Sequence, residues 1–545
     1  MMPKIGNLSP LGRIRGRSRT AAACLSLLAG AGLVAGCGSS GGSGSPASST
    51  FVAAIPALPP TLDPTSFSGG TRPAMSFLDS FLFDFESTSC TTSLSGDKLV
   101  GNLAKSWTQS PDKKSYDIVL NDYKSSYGNP LTAQDVKWSV DYAIANSPIS
   151  KYLASADAHF SKTPVTVVSD HEFKLNVDQA TPDDLALFAI PTFTIFDSTE
   201  IKKHATQDDP WGKKWVAQNA AVFGPWKLDS FDPGNQMTLS ANEGYTGSRG
   251  KVAKLIVKQV AGASDQSQLL QQGSINYANA PTWTQYKDLM SNSKVKVYPC
   301  APLSRDVLIL NFNDKALGNV KVRQAISMAI NRDELNKSAY AGLATPSTTA
   351  LLPSEMPPNS DSVPKYTYNV SAAKQLLAEA GFPNGLDLTL SYNENQPGSQ
   401  VTQSSILIQN QLKQIGINVK LNHVANGNDF NSQFQEGKYQ SILYYSGAAL
   451  PSTYFDVSLE SPDSPNVSWG FKDQQFSALV HTVGASEPGS PEYNEALVKI
   501  AQYNATQFPW IPLVDTPNIF AMNSNAGNVD QAVGPITPRI SNLNK

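Results

Sequence analysis

Catalysis needs nucleophiles, acids, bases or metal ligands at workable spacing, and this sequence offers few. Its five histidines, His159, His171, His204, His423 and His481, lie far apart, and none has the spacing of a local metal site. His423, at the exit of an expected strand, reads as a surface residue. Carboxylates that could act on a glycosidic bond sit close in sequence as Asp84 with Glu86 and Asp208 with Asp209. Such pairs are common on solvated loops, and their separation in space decides their use. A serine hydrolase needs a serine, a base and an acid within reach of one another, and nothing marks such a set. Gly36-x-Gly38-x-x-Gly41 has dinucleotide-fingerprint spacing, and Gly38-x-Ser40-x-Gly42 has nucleophile-elbow spacing. Both fall in a low-complexity run with no strand before and no helix after, as both chemistries require. The expectation is a protein that is not an enzyme and uses neither cofactor nor metal.

The elements that remain must serve binding. The chain has 545 residues, a net charge of −3, 40% hydrophobic and 16% charged residues. That length suffices for two or three domains with full cores. The charge leaves no basic footprint for nucleic acid, and the apolar content excludes a disordered chain. Lys4, Arg13, Arg15, Arg17 and Arg19 precede an apolar run from Ala21 to Ala35, the layout of an export signal. No Arg-Arg pair points to the twin-arginine route, and no later stretch reaches membrane-spanning length. Leu33-Val34-Ala35-Gly36-Cys37 resembles the bacterial lipobox, which implies that Cys37 is lipidated. Residues 1–36 are then a lipoprotein signal peptide. Residues 37–50 are the lipidated cysteine and a flexible Gly/Ser tether. A secreted chain with an ordinary cleavage site is the alternative. Cys90 and Cys300 remain in the domains. An oxidising compartment would let them bridge, and two buried thiols are the other reading.

Periodicity predicts an α/β chain. Thr132 starts a helix with Asp135 in its first turn, Val136, Val140, Ala143 and Ile144 on one face, and Pro148 as the stop. Val307–Leu310 reads as a buried strand. Val322, Ala325, Ile326, Ala329 and Ile330 make an apolar helical stripe. A helix from Ser371 to Ala380 ends at Gly381. Strand Leu386–Tyr392, a helix from Val401 to Ile415 and an alternating strand from Ile417 form a βαβ unit, so part of the sheet should be parallel.

At these residues the chain resembles the solute-binding lipoproteins of ABC importers, family 5, in the peptide/nickel class. The matching segments follow in order: Pro60-Thr61-Leu62-Asp63-Pro64; Leu103-Ala104-Lys105-Ser106-Trp107; Asp112 to Leu120; Gly128-Asn129-Pro130-Leu131-Thr132-Ala133-Gln134-Asp135-Val136; Phe223-Gly224-Pro225-Trp226-Lys227-Leu228; Asn242-Glu243-Gly244-Tyr245; Val320-Lys321-Val322-Arg323-Gln324-Ala325-Ile326 with Ala329-Ile330-Asn331-Arg332; Gln375 to Gly381; and Gln411-Leu412-Lys413-Gln414-Ile415-Gly416-Ile417. The resemblance implies a bilobal fold like the type II (class C) periplasmic binding proteins, with an extra subdomain and hinge-linked lobes. Lobe I takes 51–90, 220–302 and 508–545, the subdomain 91–219 and lobe II 303–507. Hinge crossings are expected near Val307–Asn313 and Gln507–Leu513. The implied partners are a small solute, permease subunits with cytoplasmic ATPases, and the membrane through the lipid anchor. The implied protein is a monomer on the outer face of the cytoplasmic membrane. A structural or signalling lipoprotein that imports nothing is the other class of reading.

Family resemblance also implies where the solute sits. Peptide binders of this class hold the free amine with an aspartate in a Trp-x-x-Asp stretch of lobe II. Here the stretch reads Tyr445-Ser446-Gly447-Ala448-Ala449-Leu450-Pro451, so the carboxylate position falls on Ala448 or Ala449, and no acid occurs from Lys438 to Thr453. A buried ammonium without a counter-charge costs several kcal/mol. Peptide remains the default solute, while a modified peptide, an oligosaccharide or another uncharged polar solute gains ground. Trp283, Tyr444, Tyr445 and Trp469 are candidate stacking platforms, with core packing as the alternative for each, and Asn313, Asn393 and Asn466 are candidate polar partners. Thr65 to Gly70 could line the pocket with backbone groups. Arg305 could meet a solute carboxylate or form a surface salt bridge. Trp107, Trp138 and Trp226 are expected in the core. Nickel or haem would need ligands that the histidines do not supply.

Overall fold

The computed structural model describes residues 49–66, 76–78, 80–85, 99–247, 250–279, 281–358, 360–394, 400–447, 453–464 and 467–527. The expected signal peptide, Cys37, Glu86, Cys90, Ala448, Ala449 and Asn466 lie outside these residues, as do 67–70 of the expected pocket-lining turn. The fold is mixed α/β, built on an 11-stranded sheet. Across that sheet the strands run Ile417–His423, Leu386–Tyr392, Ser441–Gly447, Val295–Leu310, Trp510–Asn523, Tyr277–Ala278, Ser49–Ile55, Val252–Gln259, Gln236–Ala241 and Trp226–Asp232. Thr345–Pro346 pairs with Trp510–Asn523 off this path. Strand Ser49–Ile55 pairs parallel with Val252–Gln259, so Ser49 and Thr50, expected as tether, already belong to the sheet.

A separate antiparallel sheet of Ala104–Gln109, Ser115–Leu120, Glu172–Val177 and Phe160–Ser169 carries the second layer. Its inner strands bury every other residue, as an antiparallel sheet with one wet face should. Helix Ala133–Asn146 covers it, with Val136 and Val140 fully buried. The Asp135 carboxylate accepts from the Thr132 amide at 2.9 Å and the Thr132 hydroxyl at 2.7 Å. It also accepts from the Ser198 amide at 2.8 Å, which ties the helix start to the next segment. Pro148 does more than stop this helix. It opens a second one, Pro148–Tyr152, that runs into a π-helical turn, Leu153–Asp157.

In the C-terminal half, Leu386–Tyr392 and Ile417–His423 pair in parallel around helix Val401–Lys413, as the spacing predicts. Gly385 (φ +84°) and Gly416 (φ +85°) approach so closely that a Cβ on Gly385 would lie 1.8 Å from the Gly416 carbonyl oxygen. The stripe of Val322, Ala325, Ile326, Ala329 and Ile330 is buried as expected. Arg323 rises from this helix beneath the Phe312 ring. Its guanidinium donates to the carbonyls of Gln507, Leu317 and Gly318 at 2.7–3.0 Å. The Arg of the Val-Arg-Gln-Ala segment is therefore a clamp that fixes the chain end preceding strand Trp510–Asn523.

Two long strands, Val295–Leu310 and Trp510–Asn523, join the two regions of core. They pair antiparallel from Val295 opposite Asn523 to Ile309 opposite Trp510. Their register breaks between Pro299 and Pro302, between Pro302 and Ser304, and between Asp306 and Val307. Pro302 faces Pro517, and Val307 faces Pro512. Proline donates no ladder hydrogen bond, so the pairing is weakest where these residues meet. The last break, at Asp306 and Val307 opposite Pro512, adjoins the expected crossings Val307–Asn313 and Gln507–Leu513, and the other two lie upstream of Val307.

Candidate functional site

Strand alternation places the site candidates on two faces of the sheet. In the pairing of Val295–Leu310 with Ser441–Gly447, Arg305 opposes Ser446, Asp306 opposes Tyr445 and Val307 opposes Tyr444. Tyr444 packs into the core with Val307 and Ile309, its ring 4.8 Å from Phe434. Burial raises its hydroxyl pKa. Trp469, 6% exposed, stacks on the same Phe434 at 5.8 Å. Its indole N–H is buried without a hydrogen-bond partner among the described residues, unlike most buried polar groups. Tyr444 and Trp469 thus stack together on one ring of this core. Asn313 is exposed, and its side chain lies against Gly470, where a Cβ would come within 2.5 Å of its amide nitrogen. Asn393 closes a strand end by donating to the Val424 carbonyl.

Arg305 does not form the surface salt bridge that was one of its two sequence readings. It is 1% exposed, 3.5 Å from Glu355 and 4.0 Å from Asp515. Asp515 accepts from the Ser347 hydroxyl at 2.7 Å. A guanidinium between two carboxylates is already neutralised, which lowers its attraction for a solute carboxylate. Asp515 also lines a cavity of ≈350 Å³ with Thr348, Thr349, Leu351, Met356 and Lys365. No sequence pattern marked Glu355 or Asp515. The charged doublet Arg305-Asp306 directly before an apolar run was the available signal.

The opposite face holds Asp306, 2% exposed. Tyr340 donates its hydroxyl to this carboxyl, and Gln400 Nε2 lies 3.5 Å away. The other carboxyl oxygen is buried without a hydrogen-bond partner among the described residues. Burial pushes the group up to about 7, against the pull of the Tyr340 and Gln400 bonds. Trp283 meets the Tyr340 ring edge-on at 5.2 Å. It begins helix Trp283–Leu289, capped by Thr282, and packs on two cores at once. One core contains Leu308, Tyr340 and Leu443; the other contains Ala54, Ile275 and Ala521. Trp283 therefore bridges the two regions that the long strands join, at the level of Asp306.

His423 is half-exposed and bonded to Glu394, as a surface residue would be. Trp226 is buried and Trp107 and Trp138 partly so, all within cores. Among the described residues, no three His, Cys, Asp or Glu side chains gather as a metal site, and no helix is long and apolar enough to cross a membrane. Cys300 is disulfide-bonded, and the other three cysteines lie outside the described residues.

Comparison with known proteins agrees with this architecture. The glutathione-binding protein GsiB of Escherichia coli (strain K12) is 25% identical over 441 residues, covering 78% of this chain and 83% of that protein. The periplasmic binding protein DppA from Helicobacter pylori, solved with the peptide STSA, superposes with a TM-score of 0.76 at 22% identity, over 91% of this chain and 98% of that one. NikA from Brucella suis, solved with Fe(III)-EDTA, gives a TM-score of 0.76 at 19% identity over 90% and 98%. These likenesses establish a bilobal binding-protein fold of type II. Residues 98–466 match the family described as "Bacterial extracellular solute-binding proteins, family 5 Middle". That match covers more than half of the chain, and the chain belongs to the family 5 bacterial extracellular solute-binding proteins.

Proposed function

We propose that the chain is the lipid-anchored solute-binding component of an ABC importer, which captures a peptide or peptide-like solute between two lobes and delivers it to a permease. Family membership across residues 98–466 carries this reading. The proline-interrupted strand pair supplies what a hinge requires, a few element residues able to absorb a change of dihedral angles. Lobe I comprises 51–90, 220–302 and 508–545, the subdomain 91–219 and lobe II 303–507. Cys37 carries the lipid and Cys90 is the partner of Cys300. The protein acts as a monomer, without chemistry of its own, on the outer face of the cytoplasmic membrane. Trp283, which packs on two cores, and Tyr445, opposite Asp306 in the sheet, are the preferred solute contacts. Tyr444 and Trp469, packed on Phe434, Arg305, held by Glu355 and Asp515, and the exposed Asn313 are weaker candidates for contact.

Absence of an acid from Lys438 to Thr453 favours a second solute class, an uncharged polar molecule such as an oligosaccharide. Thermal shift of the purified protein separates the two. The panel holds free and blocked peptides, glutathione, cello- and xylo-oligosaccharides and nickel. A solute at 100 times its dissociation constant adds about 2.7 kcal/mol of stability. A shift with free peptides supports the first reading, and a shift with oligosaccharides alone supports the second. Silence across the panel leaves the import role unproved and favours a structural or signalling lipoprotein.

A further inference from the structure

Buried carboxylates join the subdomain to the C-terminal region at one contact. Asp157 ends the π-helical turn Leu153–Asp157 and is 0% exposed. One of its oxygens accepts from the Ser458 hydroxyl at 2.9 Å, on helix Thr453–Leu459, 301 residues away in sequence. Its other oxygen is buried without a hydrogen-bond partner among the described residues. Nearby, the Tyr152 hydroxyl lies 3.4 Å from the Ser464 hydroxyl, across the same contact. Asp183 and Asp184 are buried beside it. Asp184 accepts from the Tyr116 hydroxyl at 2.9 Å and the Thr181 hydroxyl at 2.9 Å.

The groups facing Asp157 come from every element around it. Asp183 acts on it directly, and Asp184, Tyr152 and Tyr454 share its surroundings. Further out, His159 feels Asp178 and His481, and His481 lies 3.3 Å from Asp463. Among the described residues, no lysine or arginine is paired with Asp157. Burial, and then the Asp183 charge, hold its carboxyl well above the usual aspartate range. Separation of the two regions would return it to water and to its ordinary value.

We propose that this contact is a proton-controlled latch: Asp157 seats against Ser458 as a neutral carboxylic acid, and its ionisation favours the open molecule. The inference rests on the solute-capture reading, because closure is the step it regulates. Closing takes up a proton, so acid favours the closed form and alkali the open one. Between the ordinary and the raised value, the closed-to-open ratio changes up to tenfold per pH unit, and solute affinity follows while the open form dominates.

Small-angle X-ray scattering of the purified protein from pH 8 to pH 5, with and without Ser-Thr-Ser-Ala, tests this, alongside calorimetry with the same peptide. The peptide's termini keep their charges between pH 5 and 7. The wild type should contract, and its affinity rise, as the pH falls. Asp157→Asn keeps an acceptor for Ser458 but never ionises, so it should stay contracted at both ends of the range with pH-independent affinity. Ser458→Ala removes a hydroxyl that favours the ionised carboxyl, so the response should extend to higher pH, and this arm decides alone if Asp157→Asn does not fold. His159→Gln and His481→Gln should leave the response in place. A wild type indifferent to pH, an Asp157→Asn variant as responsive as wild type, or loss of the response in the histidine variants overturns the latch. If the radius responds through Asp157 but the peptide binds at no pH, the latch stands and the reading as a binder of free peptides fails.

Discussion

Replacing Asp306 by asparagine tests the account of the strand crossing. Asp306 is fully buried, with its carboxyl at about 7 in the folded chain against 3.8 for the free group. Between those values the folded state holds a proton that the unfolded state has lost. Stability therefore falls as pH rises from about 4 to about 7, and this contribution is flat above that. A shift of about three units corresponds to about 4 kcal/mol at 1.36 kcal/mol per unit. Asparagine removes the dependence and keeps an acceptor for Tyr340. Urea unfolding at pH 5 and pH 8 isolates the effect, since every other carboxylate is common to both proteins. Relative to wild type, the variant should gain about 2–3 kcal/mol between the two conditions, because some two units of the titration lie within that range. An equal stability difference at both pH values would refute the burial argument.

Other consequences are direct. Arg323→Lys loses the fork that reaches three carbonyls and should destabilise by about 2–3 kcal/mol in urea titrations, with Gln507 and the following strand losing hydrogen-exchange protection first. Gly385→Ala meets both a positive φ and the Gly416 carbonyl, so a loss of about 3 kcal/mol or more is expected in the same assay. Trp283→Ala removes a ring that packs on two cores. It should cost about 3 kcal/mol and, under the capture reading, abolish the ligand-induced thermal shift; an intact shift would remove Trp283 from the solute contacts. Peptide mapping without reductant should recover Cys300 linked to Cys90, and Cys90→Ser should lower stability by about 4–5 kcal/mol if chain entropy sets the effect.

Helices and strands with clean periods were legible in the sequence. The stripe at 322–330 and the βαβ unit at 386–423 need only local spacing, and the glycines at 381 and 416 mark real left-handed turns. Interactions between distant segments were not legible. Nothing local shows that Arg305 will sit between Glu355 and Asp515, or that Asp157 will meet Ser458. Pro148 stops the helix as expected, and the second helix that it opens was not legible, because proline serves equally as a stop and as a first helical residue. Aromatic candidates were chosen by type, but strand parity sends neighbours to opposite faces, so Tyr444 entered a core that Tyr445 could not share.

The pairing of Val295–Leu310 with Trp510–Asn523 also orders events during biogenesis. A chain delivered N-terminus first presents Val295–Leu310 long before its central neighbour exists, since Val295 waits for Asn523. Until then the middle of the sheet is an apolar open edge, the kind that recruits foreign strands. Such high contact order makes folding slow and leaves the chain extended, which suits passage through a narrow export channel. It also makes the nascent chain a client for holding chaperones, and an arrest before Trp510 would yield an aggregation-prone fragment in place of a smaller working domain.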